Sequence, residues 1–123
     1  MPTNKKKEVM KEKELFASVY GIAELNREGF TFNINDNEMQ ATCYAVARKE
    51  TQNSFGDAGL HACIAFALAN NVQCIGGWYD NESGKFYFDA TEIFSDKDAA
   101  IEAGRRNEQI AIFDLNTLNE IRL

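Results

Sequence analysis

Residues 73–89, QCIGGWYDNESGKFYFD, constrain this chain more than any other stretch. Two runs of alternating apolar and aromatic residues flank Asn81, Glu82, Ser83 and Gly84, a four-residue loop of the kind that joins antiparallel strands. Closing the chain there sets Asp80 opposite Lys85, Tyr79 opposite Phe86, Trp78 opposite Tyr87 and Gly77 opposite Phe88. Side chains alternate across a strand, so this register gathers Ile75, Tyr79, Phe86, Phe88 and Ala90 on a core face. Trp78, Tyr87 and Asp89 share the other face, and a slip of one residue would exchange the two. Gly76 and Gly77 leave room for an aromatic ring across the ladder or for a bulge; the competing reading is close approach by a partner's backbone.

The rest of the chain supplies helices and further strands to pack against this hairpin. Leu15, Phe16, Val19, Tyr20, Ile22 and Ala23 repeat at helical spacing within residues 8–27, and Gly29 is placed to close that helix. Phe30, Phe32 and Ile34 alternate with Thr31 and Asn33 as a strand; NDNE turns the chain, and a second strand spans about 39–48. ETQNSFGD reads as a polar loop in which Asp57 caps a core helix over about 58–70. Ser95 and Asp98 form a capping-box-like start to a third helix. Residues 109–115 read as a central strand, followed by an NTLN turn and a short final strand. The expected fold is therefore α+β: one domain, order αββαββαββ, with a mostly antiparallel twisted sheet and about three helices gathered on one face. A split ferredoxin-like arrangement is the alternative.

Charge divides the chain unevenly. Residues 1–13 hold five lysines against two glutamates, so with the whole chain at −6 the remainder carries −9. The division expected is a flexible basic arm over 1–13 and a domain over 14–123. An acidic body disfavours direct nucleic-acid binding. The apolar runs are too short to span a bilayer, and the lysines precede no signal-peptide core, so the expected setting is the cytoplasm without membrane attachment. Cys43, Cys63 and Cys74 have no C-x-x-C spacing and read as reduced, apolar positions.

No phosphate-binding, dinucleotide, zinc-protease or calcium-loop motif occurs, and no cofactor or metal is expected. His61 reads as a satisfied helix residue rather than a ligand, and its side chain diverges from Cys63 by roughly 200° around the helix. A contact between Cys43 and His61 across the core stays open. ETQNSFG could offer backbone N–H groups to an anion, but Asp57 would occupy that position. The aromatics of GKFYFD lack the basic surround of a base-stacking strand. Two readings of Trp78 and Tyr87 stand: a helix covers them, or they form an exposed pair beside Asp80, Glu82 and Asp89, suited to anchoring a protein partner.

The segments YAVARKETQNSFGDAGL, IGGWYDNESGKFYFDA and NEQIAIFDLNTLNEIRL resemble small accessory proteins of bacterial conjugative elements and phages, notably of Bacteroidales, over roughly residues 41–123. That resemblance implies a non-enzymatic protein that binds a host or element protein, with inhibitors of host-defence nucleases, the anti-CRISPR and antirestriction class, as one such group. The expected contact set is Trp78, Tyr87, Asp80, Glu82 and Asp89. The alternative is a homo-oligomeric structural or regulatory accessory protein that pairs through the aromatic face or the edge strand near Ile121.

Overall fold

The computed structural model describes residues 2–123, with side chains from Lys11 onward. The chain runs α1 (Pro2–Leu25), β1 (Phe30–Asn33), β2 (Glu38–Met39), β3 (Tyr44–Ala47), a 3-10 turn (Lys49–Thr51), β4 (Ser54–Phe55), α2 (Gly56–Asn70), β5 (Cys74–Asp80), β6 (Lys85–Phe94), α3 (Lys97–Arg106), β7 (Ala111–Asp114) and β8 (Asn119–Arg122). This is the expected α+β class. The strands form one antiparallel sheet ordered β2-β1-β5-β6-β3-β7-β8, with β4 beside β6.

The β5–β6 hairpin organises the sheet and keeps the expected register, with Trp78 paired to Tyr87 and Asp80 to Lys85. Its strand β6 extends further than the hairpin needs. Its first seven residues pair with β5, and the stretch from Thr91 to Phe94 pairs with β3 on the other side. The main core lies over the β1–β5–β6 half, where Leu15, Val19 and Ala23 of α1 and Leu60, Cys63, Ile64 and Ala67 of α2 meet Phe30, Phe32, Ile75, Phe88 and Ala90. A second cluster places Ala100 and Ala103 of α3 on Val46 and Ile112, beside Phe94 and Tyr44. Phe86, Phe88, Ala90 and Phe94 alternate onto one side of β6, so all three helices share one sheet face. Gly77 is needed here, because a Cβ at that position would lie 2.6 Å from the Phe30 ring.

Several local expectations are corrected. The strand expected over 39–48 is broken: β2 pairs with β1 at one edge, whereas β3 lies between β6 and β7. Cys43, at φ +77°, interrupts the extended chain between them. Asp57 does not cap α2; the helix starts at Gly56, Phe55 is the N-cap residue without a side-chain cap, and Asp57 lies in the first turn. Asp96, not Ser95, caps α3, accepting a hydrogen bond from the Ala99 N–H at 2.9 Å. Gly29 does not close α1 either. That helix ends at Leu25, where the Asn26 side chain donates to the Ile22 carbonyl. Gly29 instead takes φ +137° just before β1. The polar loop 50–57 contains a strand, β4, paired to Phe88 and Tyr87.

Helix α1 passes through the position where the basic arm is expected to give way to the domain. Lys5, Lys6 and Lys7 have side chains outside the described ones.

Candidate functional site

The sheet face opposite the helices carries Gly76, Trp78 and Asp80 from β5 and Lys85, Tyr87, Asp89 and Thr91 from β6. Strand β4 adds Phe55, whose register partner is Tyr87. Three aromatic rings from three adjacent strands therefore stand in a row. Trp78 stacks on Tyr87 with centroids 5.5 Å apart and planes 21° from parallel, and Phe55 meets Tyr87 edge-on at 5.9 Å. Trp78 is 48% exposed and Phe55 45%. Of the two readings of Trp78 and Tyr87, the covering helix is absent from this face among the described residues.

Phe55 is the residue that sequence reasoning passed over. The signal was an aromatic residue in an otherwise polar loop, but a two-residue strand has no periodicity to announce it. The ammonium of Lys85 lies 4.2 Å from the Phe55 ring centroid, a cation–π contact that closes one end of the row.

Beside the row a depression of about 360 Å³ is lined by Trp78, Tyr87, Asp80, Asp89, Gln52 and Gln109, among others. Asp89 forms part of its floor. The residue is half-buried, and burial pushes its pKa up against the lowering effect of the hydrogen bond that Thr91 Oγ1 donates to Oδ1. Gly76 makes the room for it: a Cβ there would lie 3.0 Å from Asp89 Oδ1 and from Thr91 Oγ1.

The expected contact residues are not equivalent. Asp80 caps its own turn, accepting from the Ser83 hydroxyl at 2.8 Å and the Glu82 N–H at 3.2 Å. Glu82 sits exposed at the tip of that turn rather than in the depression. Among the described residues, no lysine or arginine forms an ion pair with Asp80, Glu82 or Asp89; Arg48, which also lines the depression, is held by Glu50 at 2.8 Å and Glu92 at 3.2 Å.

The nucleophile and ligand candidates lie elsewhere. His61 is exposed on α2, with its ring stacked on Phe16 at 4.0 Å, and Cys43 is held near Thr42 and Asn116. The open question of a Cys43–His61 contact is thus answered by separate partners. Burial raises the thiol of Cys63 to about 11 and that of Cys74 to about 12, which keeps both protonated at neutral pH. Among the described residues no group of three His, Cys, Asp or Glu side chains could hold a metal ion, and no helix is long and apolar enough to cross a membrane.

Comparison of the chain with protein-family models, with curated proteins and with solved structures gives no match.

Proposed function

We propose that this chain is a non-enzymatic protein-binding module of a mobile genetic element, acting in the cytoplasm, and that it meets its partner through the helix-free face of the sheet. The observation that carries the reading is the row Phe55–Tyr87–Trp78, fixed on three paired strands with two of its rings about half exposed. Rigid aromatic side chains contribute large contact areas at low entropic cost, and a sheet holds them in place before binding. An acidic body suits a partner with a basic surface. Host-defence nucleases, the partner class implied by the sequence resemblance, present such surfaces to nucleic acid.

The test is affinity capture from a host with intact defence systems, comparing the native chain with Trp78→Ala/Tyr87→Ala after circular dichroism shows both folded. A defence nuclease retained by the native chain, inhibited by it in a cleavage assay and lost by the variant is the expected result. Retention unchanged by the substitutions would reject the aromatic face as the contact. A second reading, self-association, draws on β8, which among the described residues pairs only with β7 and leaves one edge of the sheet open. Light scattering showing a monomer at every concentration would remove it.

A further inference from the structure

We propose that the depression between the aromatic row and Asp89 receives an arginine side chain of the protein partner. This rests on the binding reading above and names the partner chemistry. One wall is the stacked pair of Trp78 and Tyr87. An aromatic face attracts a planar guanidinium, which can lie flat on it and still donate hydrogen bonds at its edge. The row already holds a cation of its own chain at its other end, where Lys85 sits over Phe55. Over Trp78 no cation of the described residues is placed.

The floor supplies the acceptor. Oδ1 of Asp89 is taken by Thr91, no described residue donates to Oδ2, and no described cation pairs with the carboxylate. Arg48 also lines the depression but is held by Glu50 and Glu92, so the half-buried Asp89 carboxylate is left without a counter-ion and is matched by a cation brought from outside through a charge-assisted bond. Gln52 and Gln109 line the same depression and offer amide oxygens to remaining guanidinium N–H groups. The net charge of −6 attracts a basic partner surface at long range.

Trp78 is the sole tryptophan, so its fluorescence reports on this wall alone. The experiment titrates the full chain with acetyl-triarginine-amide, and in parallel with the citrulline analogue, acetyl-trilysine-amide and spermidine. The expected result is a saturable change with the arginine peptide, weaker by about threefold or more with trilysine and spermidine and absent with citrulline. Asp89→Asn, which keeps the shape and the reporter, should weaken arginine binding about tenfold. Equal responses to arginine and citrulline, equal affinity for spermidine, or no change in Asp89→Asn would each overturn the assignment. The arginine peptide also separates this inference from the reading beneath it. A captured protein that depends on Trp78 and Tyr87, yet is not released by excess peptide, rejects the guanidinium site and leaves the aromatic contact face standing. Release by the peptide supports both.

Discussion

Asp89 stands opposite Gly76 in the β5–β6 ladder, and its carboxylate fills the space that a side chain at residue 76 would otherwise claim. The fold gains little from a charge there. Burial raises the carboxyl's pKa above the ordinary 3.8, with the Thr91 hydrogen bond pulling the other way, so the folded chain holds this proton more tightly than the unfolded chain does. The sign of the linkage follows: the contribution of Asp89 to stability is most favourable below its unfolded pKa and is lost as pH rises through the raised folded value. Asn at this position carries no such penalty and can still accept from Thr91. Asp89→Asn is therefore expected to melt higher than the native chain at pH 7, the gap closing as the pH approaches 3, as read from melting curves across that range. A variant equally or less stable at every pH would contradict the account. If the same variant loses arginine binding, the acid is retained at the expense of stability, a pattern expected of a binding residue. In the sequence Asp89 was legible as facing away from the core, because strand alternation alone assigns it. Its partial burial was not legible, since that depends on Gly76 and Thr91 meeting it in three dimensions.

At the scale of elements, the hairpin 73–89 was readable residue by residue, because loop length and apolar alternation specify the same register. Helix positions were also readable from their apolar spacing, but their first residues were not. Ser95 and Asp96 both have cap-forming side chains, and sequence spacing favoured Ser95 through its partner Asp98. In the fold Asp96 takes extended backbone angles and accepts from Ala99, so the cap lies one residue further on. Asp96→Ala should accordingly cost about 1 kcal/mol, within the ~0.5–2 kcal/mol that cap removal typically costs. Ser95→Ala, at an exposed position outside the cap, should stay within about 0.5 kcal/mol of the native chain. Urea denaturation of the two variants settles the order, and a larger loss for Ser95→Ala would return the cap to that residue. The break between β2 and β3 was hidden for a different reason. Residues 39–48 are apolar enough for one strand, and nothing in their pattern announces that Cys43 adopts a positive φ. Strand β4 is likewise a tertiary product: Ser54 and Phe55 become a strand because β6 offers an open edge beside them.

At the scale of the molecule, the two core clusters of the described residues sit on one sheet and share β6. Phe88 and Ala90 belong to the cluster under α1 and α2, and Phe94 packs with the cluster under α3. Thr51 ties the two halves where β3 gives way to β4: its hydroxyl accepts from the Ala90 N–H at 2.9 Å while the Arg48 N–H reaches the Ala90 carbonyl at 2.9 Å. A ten-residue strand that crosses both clusters cannot lose its pairing on one side without exposing apolar surface on the other, so the halves should unfold together. Trp78 makes this testable, because it lies on the opposite sheet face from the α3 cluster and, as the sole tryptophan, reports the β5–β6 end alone. Ile112→Ala removes a buried side chain from the α3 cluster and should cost about 2–5 kcal/mol. If the sheet is one cooperative unit, the urea midpoint read by Trp78 fluorescence falls by the same amount as the midpoint read by far-UV circular dichroism. A Trp78 midpoint left at the native value, with only the dichroism shifted, would divide the sheet at β3. The binding face would then rest on the α1–α2 half alone, and substitutions around α3 would leave partner capture unchanged.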